Sequence, residues 1–76
     1  MIPRTVFEKL RGEKIRFFVK DLPDPHCIQY GRIEDVTEHL VLIKDEDHDQ
    51  LVYIPIEKIV LIKTTWKNMV IYLKIQ

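Results

Sequence analysis

The chain of 76 residues has one cysteine, two glycines and one tryptophan, and no apolar run that approaches the ~20 residues needed to cross a bilayer. A single cysteine, Cys27, cannot form an internal disulfide, which fits a reducing cytoplasm. The first residues lack the apolar core of a secretory signal peptide. We therefore expect a cytoplasmic protein with no membrane partner and no stabilising disulfide.

Small size is the next constraint. Residues 1–76 are enough for one domain, and a hydrophobic fraction of 46% is typical of a folded globule. A domain of this size hides only about 60% of the surface that its unfolded chain exposes, so its stability is marginal. Association with further copies of the same chain is one common remedy.

The net charge is zero, but the charges are segregated along the chain. Residues 1–20 carry six basic residues against two acids, and residues 58–76 carry four basic residues and no acid. Residues 21–57 carry ten acids against two basic residues. The folded domain could therefore have a basic and an acidic face, although strand pairing could equally interleave the two.

A short amphipathic helix is predicted over residues 5–11. Thr5 and Glu8 have the spacing of a capping box, in which each side chain satisfies a free backbone N–H group. Gly12 is placed to end the helix in a left-handed conformation. Three apolar side chains share one face and should dock the helix: Val6, Phe7 and Leu10.

After Gly12 the apolar period changes from about 3.6 to 2, which predicts strands. They are expected at residues 14–20, 27–36, 40–43, 51–56 and 59–62, with an extra C-terminal strand at 69–75. The apolar parity of the second strand slips at Gly31, which predicts a bulge or sharp bend there. Strongly bent strands suit small closed barrels, so we expect a mostly β, SH3-like, bent five-stranded barrel over residues 14–63.

Three segments make the pattern more specific. Residues 10–17 follow the spacing Leu-x-Gly-x-x-Val-x-Val. Residues 31–33, Thr37 and 39–42 follow Gly-x-Leu, a loop position, and Asn-Leu-x-Leu. Residues 54–62 follow Ile-Arg-Gly-Asn-Asn-Ile-x-x-Ile at the apolar positions. Together they resemble the signatures of the Sm and LSm family, which implies an Sm-like barrel preceded by a helix.

The resemblance also locates the differences from the family. Its uracil pocket uses a loop Asp and Asn and an Arg-Gly pair, and here His39 stands at the Asn position and Pro55-Ile56 at the Arg-Gly position. The histidine can still stack on a base or donate to it. We therefore expect weak, poorly selective binding of single-stranded RNA through the basic helix and the basic tail rather than through the family pocket. The candidate residues are Arg4, Lys9, Arg11, Thr37, His39 and Lys58.

The resemblance further implies a homo-oligomeric ring of roughly five to seven subunits, closed by strands four and five of neighbouring copies. The candidate interface residues are Leu51, Tyr53, Ile54, Ile59, Val60, Leu61 and Ile62. The run at 59–62 is apolar at every position, whereas a strand solvated on one face would alternate. A run of this kind can also cross the core of the barrel, and the sequence leaves both interpretations open.

Two motifs suggest chemistry only weakly. The acids at 45, 47 and 49 begin like an EF-hand loop, but Gln50 and Ile56 replace the glycine and glutamate that the loop needs, which favours a solvated hairpin tip. His26 and Cys27 are adjacent, but no second cysteine offers zinc spacing, and a half-buried strand cysteine is the simpler interpretation. No catalytic residue, metal or cofactor is predicted.

Lys63, Trp66 and Lys67 form a basic-aromatic cluster, in which Trp66 could stack on a base or cover the open end of the barrel. Two function classes remain. One is an Sm-like ring subunit, non-enzymatic, with weak RNA binding. The other is a protein-interaction or assembly adaptor with the same barrel and no RNA ligand, which the missing Arg-Gly pair and the zero net charge favour. The basic segment at residues 1–20 and the resemblance to the Sm fold favour the first class, which is the one we predict.

Overall fold

The structure is a computed structural model in which residues 1–65 are described, and these form a mostly β domain with one sheet of five antiparallel strands. The elements are α1 (Arg4–Lys9), β1 (Lys14–Val19), β2 (Ile28–Val36), β3 (Leu40–Asp45), β4 (Gln50–Pro55), a 3₁₀ turn (Ile56–Lys58) and β5 (Ile59–Lys63). Each predicted element up to residue 63 is confirmed to within two residues at both ends. The predicted strand at 69–75, and Trp66, lie outside the described residues.

The strand order β4-β3-β2-β1-β5 decides which strands have free edges. β3 pairs with both β2 and β4, as its apolar sequence predicts, and β4 and β5 form the two outer edges. No ladder joins β4 to β5 within residues 1–65, so these residues form an open sheet. Pro55 ends an edge strand, where its missing N–H leaves no ladder bond unmade.

The core lies between α1 and the inner face of the sheet. Ile15, Phe17 and Val19 are buried and alternate with exposed or half-buried neighbours, which confirms the predicted direction of β1. Phe7 and Leu10 bury the apolar stripe of the helix, and the ring of Phe7 stacks on that of Phe17 with centroids 6.3 Å apart. Burial of Phe7 thus holds a helix of six residues that would not be stable alone.

The predicted capping box at the start of the helix is wrong. α1 begins one residue earlier, so that Pro3 is the N-cap and Thr5 lies inside the first turn. No side chain caps the helix, and the carboxylate of Glu8 pairs instead with Nε of Arg4 at 3.1 Å. Pro3 can occupy the N-cap position because its ring fixes φ near −62°, an extended conformation from which the chain can turn into the helix.

Glycine is needed at positions 12 and 31 for different structural reasons. Gly12 follows the helix with φ of +86°, which confirms the predicted left-handed conformation. Gly31 lies in regular pairing opposite Ile15, so the bulge predicted at this residue is misplaced. A Cβ at Gly31 would lie 2.6 Å from the backbone carbonyl oxygen of Lys44, and only glycine permits this approach of β2 to β3.

The bulge in β2 comes later, where the register with β3 shifts between Ile33 and Asp35. The parity slip in the sequence has a separate origin, because Ile28 and Tyr30 are apolar residues on the exposed face of the sheet. A second bulge lies in β5, since Phe18 pairs with Leu61 but the next residue of β1 pairs with Ile59.

The β5 bulge explains why the run at 59–62 does not alternate. Val60 is the extra residue, and both Val60 and Leu61 are exposed. Ile59 is buried in the core, and the partly buried Ile62 packs against that core. Ile59 and Ile62 therefore fit the core interpretation, whereas Val60 and Leu61 are exposed and their contact with another subunit stays a prediction.

Replacement of Gly31 by alanine should lower the free energy of unfolding by about 2–3 kcal/mol, because the new methyl group meets backbone rather than a movable side chain. Urea unfolding followed by circular dichroism measures the change. Gly12→Asn is the control: a Cβ there meets nothing within 4 Å and asparagine tolerates positive φ, so the cost should stay below about 1 kcal/mol. Equal, small costs at both positions would contradict the close approach at Gly31.

Candidate functional site

A cleft of about 500 Å³ lies where the β2–β3 turn meets the 3₁₀ turn. The backbone N–H of Ile56 donates to the carbonyl oxygen of His39 at 2.9 Å and holds the two turns together. His39 and Pro55, which are sixteen positions apart in sequence, therefore line one cleft. The full lining is Met1, Arg4, Glu38, His39, Leu40, Pro55, Ile56 and Glu57.

Thr37 acts on this cleft indirectly. Its hydroxyl accepts a hydrogen bond from the backbone N–H of Leu40 at 3.0 Å, and its own N–H donates to the Leu40 carbonyl at 2.8 Å. These bonds form a tight turn that leaves the side chain of His39 84% exposed, with Glu38 at 3.9 Å. Thr37 thus shapes the turn that presents His39 to solvent, and the RNA-binding roles of both residues stay predictions.

Three of the four predicted RNA-binding cations have a carboxylate partner. Arg4 pairs with Glu8, Arg11 with Asp35 at 3.8 Å, and Lys58 with Asp21 at 3.0 Å. The hydrogen bond and charge of Lys58 hold the pKa of Asp21 below its ordinary value. Exposed pairs of this kind contribute little to stability, but they reduce the positive field that a phosphate would meet.

The predicted cations do not form one basic surface. Arg4 lines the cleft beside His39, whereas Lys58 turns toward the β1–β2 loop through its bond to Asp21. Lys9 is exposed in the last turn of α1. The structure thus brings Arg4 and His39 together and leaves the other predicted cations outside the lining of this cleft.

The predicted interface residues fall into two groups. Leu51 and Tyr53 on β4, and Val60 and Leu61 on β5, are exposed at the two edges of the sheet. Ile54, Ile59 and Ile62 direct their side chains to the core of the same subunit, Ile62 only in part. The side chains available for contact with another molecule are therefore the first four.

The sequence interpretation missed a surface on the outer face of β2, β1 and β5. The pairing places Ile28, Phe18 and Leu61 in one row across these strands, and Tyr30, Arg16 and Lys63 in the next. We call these six residues the outer aromatic face. Period-2 alternation in β1 was the available signal, because it turns Arg16 and Phe18 away from the core.

The acidic segment at 45–49 is a structured turn. The carboxylate of Asp45 accepts hydrogen bonds from the backbone N–H groups of Asp47 and His48, and its other oxygen lies 2.8 Å from Nδ1 of His48. The bond with His48 lowers the pKa of Asp45. The predicted hairpin tip between β3 and β4 is confirmed, and within residues 1–65 no acids, histidines and cysteine converge to hold a metal ion.

Cys27 is half-buried and precedes β2, with its Sγ donating to Oδ1 of Asp24 at 2.8 Å. This hydrogen bond raises the pKa of the thiol, and partial desolvation and the negative charge of Asp24 act in the same direction. Because the thiolate is the nucleophilic form, this environment makes Cys27 less reactive than an ordinary cysteine.

Alkylation of Cys27 by iodoacetamide should therefore have its pH midpoint above that of free cysteine. Asp24→Asn should lower the midpoint and speed the reaction near neutral pH, as followed by mass spectrometry. Asp21→Asn is the control, since Asp21 lies in the same loop but bonds to Lys58. An alkylation profile that Asp24→Asn leaves unchanged would show that the carboxylate does not control the thiol.

No protein-family model matches this chain, and no curated protein or solved structure is significantly similar to it. Among residues 1–65, no helix has the length and apolar character to cross a membrane. The functional argument therefore rests on the geometry of the cleft, the two edges and the outer aromatic face.

Proposed function

We propose that the protein is a non-enzymatic, Sm-like barrel subunit of a homo-oligomeric ring of roughly five to seven copies. One observation carries the proposal. The strands that the Sm resemblance assigns to subunit contacts, β4 and β5, are the two outer strands of the sheet that residues 1–65 form. Both outer strands expose large apolar side chains, and pairing with another copy would remove these side chains from water.

The exposed side chains at the two edges lie on the same face of the sheet. Tyr53 is paired with Leu42, and Leu61 is paired with Phe18, both on the face away from the core. If β4 of one copy pairs with β5 of the next, Tyr53 and Leu61 become cross-strand neighbours. Such pairing also satisfies the free backbone N–H and C=O groups of both strands.

The geometry of this contact favours a ring over a two-fold dimer. β4 and β5 are different surfaces at opposite edges, so the contact is head-to-tail, and every copy keeps one unused edge until the assembly closes. The bulges in β2 and β5 support the proposed barrel curvature, because bulges bend strands and increase their twist.

RNA binding in the proposal is weak and uses the basic N-terminal residues Arg4, Lys9 and Arg11 together with the cleft that Arg4 lines. Its support is that Arg4 and His39 line the same cleft, so a base stacked on the exposed imidazole would lie near a cation. The adaptor function without RNA is the second candidate. It is favoured by the ion pairs that occupy Arg4, Arg11 and Lys58 within the chain.

Sedimentation velocity on the full chain, combined with a salt-titrated binding assay on single-stranded RNA, tests both parts. We expect a closed species with weak binding that falls steeply with salt. Replacement of Arg4, Lys9 and Arg11 by alanine should weaken binding and flatten the salt slope, and His39→Ala should add a further loss only if its ring stacks on a base. A monomer at high micromolar concentration contradicts the ring. Undetectable RNA binding at low salt selects the adaptor.

A further inference from the structure

We propose that the outer aromatic face binds single-stranded nucleic acid, with bases stacked on Tyr30 and Phe18 and phosphates at Arg16 and Lys63. This site is separate from the cleft that contains His39. It also does not require ring formation, because Tyr30, Arg16 and Phe18 lie on β2 and β1, which are inner strands of the sheet.

The first observation is that two cations of the outer aromatic face lie over two of its aromatic rings. The guanidinium of Arg16 lies over the ring of Tyr30, with Cζ 5.9 Å from the centroid. The ammonium group of Lys63 lies over the ring of Phe18 at 5.3 Å. Two aromatic side chains on neighbouring strands thus each have a positive group beside them, in a diagonal arrangement about 7–8 Å apart by ordinary sheet geometry.

The second observation is that the charge of this face is not neutralised. Ion pairs within residues 1–65 involve Arg4, Arg11, Lys14, Arg32 and Lys58. Arg16 and Lys63 have no carboxylate partner in that described part, and no member of the outer aromatic face is acidic. The six residues of the face therefore carry two positive charges and no negative charge, while Asp45, Glu46 and Asp47 line a small cleft beside Tyr30.

Single-stranded nucleic acid suits both features at once. Its phosphates complement the two cations, and its planar bases can stack on the aromatic rings and on the guanidinium plane. The apolar neighbours Ile28 and Leu61, both exposed, extend the surface beside the rings. An acidic peptide would use the cations but would give no function to the exposed ring of Tyr30 or the half-buried ring of Phe18, so nucleic acid explains more of the face.

Fluorescence anisotropy with the full chain and a labelled RNA of about 12 nucleotides tests the proposal, with single-stranded DNA of the same sequence as a second probe. Tyr30→Ala should weaken binding by about 5- to 100-fold, and Tyr30→Phe should retain it. Arg16→Gln and Lys63→Gln should each reduce the slope of log K against log salt by about one. Lys20→Gln is the matched control, because Lys20 is an exposed cation that belongs neither to this face nor to the predicted RNA-binding residues, and its replacement should leave Tyr30-dependent binding unchanged.

Several results would overturn the proposal. One is the absence of detectable binding at low salt. Another is binding that Tyr30→Ala leaves unchanged but that Arg4→Gln and His39→Ala abolish, which would assign all binding to the cleft. A poly-glutamate peptide that binds more tightly than RNA would identify an acidic protein partner. A change in sedimenting mass on Tyr30→Ala, or a Lys63 that resists acetylation in the free protein, would show that another copy or another part of the chain covers the face.

Discussion

Tyr53→Lys and Val60→Lys should each convert the proposed ring to smaller species while the subunit stays folded. Tyr53 is 59% exposed and Val60 is 57% exposed, so neither substitution places a charge in the core. In a paired edge each lysine would be desolvated without a partner, which should cost about 3 kcal/mol per contact, roughly a 100-fold loss of affinity. Sedimentation velocity measures the mass, and circular dichroism checks the fold.

Mixing the two variants tests the head-to-tail geometry. The Tyr53→Lys chain keeps an intact β5, and the Val60→Lys chain keeps an intact β4. One contact can therefore form between them, and the mixture should contain a heterodimer that neither variant forms alone. A two-fold contact that pairs β4 with β4, or β5 with β5, predicts a homodimer of one variant instead.

Leu22→Lys is the matched control for these variants. Leu22 is 45% exposed, comparable to the edge residues, but lies in the β1–β2 loop. Its substitution removes the same kind of apolar surface without touching an edge, so assembly should be unchanged. If Leu22→Lys dissociates the assembly as strongly as the edge variants do, the contact is a general apolar association and the pairing of edges is wrong.

Phe7→Ala should have the largest effect on folding. The side chain is fully buried and stacks on Phe17, so its removal deletes the main contact that docks α1. The expected cost is about 3–5 kcal/mol, a large share of the 5–15 kcal/mol that stabilises a typical domain. Urea unfolding should show the loss, and Phe7→Leu should retain most of the stability.

Thr5→Ala is the control in the same helix. If Thr5 capped the helix, its loss would cost about 1 kcal/mol, but with Pro3 as the N-cap the expected cost is close to zero. Comparison of the two substitutions separates docking of the helix from its initiation. A Phe7→Ala chain as stable as Thr5→Ala would show that the helix does not contribute to the core.

Alternation in β1 was sufficient to predict which side chains face the core, because successive residues of a strand must point to opposite faces. Ile15, Phe17 and Val19 are buried as that rule requires. The left-handed Gly12 could also be predicted, since it follows an apolar helical face and precedes a change of period. Both predictions depend on local backbone geometry alone.

The wrong predictions share one cause. Thr5 and Glu8 have capping spacing, but Pro3 starts the helix earlier, and the choice between overlapping start signals depends on how the helix docks. Gly31 was assigned a bulge because the apolar parity changes near it, whereas its actual constraint is the carbonyl oxygen of Lys44, thirteen residues away in sequence. A contact with a distant strand cannot be seen in a local pattern.

The candidate sites also combine features that a local motif predicts with features that depend on contacts between distant segments. His39 was singled out by its position in a local motif, but only the hydrogen bond from Ile56 places it in one cleft with Pro55. The outer aromatic face was not predicted at all, because its two rings and two cations come from three strands that the sequence does not align. Ion pairs such as Arg11 with Asp35 also form only in the folded chain, and they lower the positive charge of the basic surface that the sequence predicts.

The sequence by itself determined the order and type of the elements, the inward residues of β1 and the turns, since each follows from the period of a short segment and from the backbone limits of glycine and proline. Only the tertiary structure decided that β4 and β5 are the outer strands of the sheet formed by residues 1–65, that the β5 bulge exposes Val60 and Leu61, and that Arg16 and Lys63 lie over aromatic rings. These properties depend on the register between strands, which long-range packing sets and local sequence does not encode.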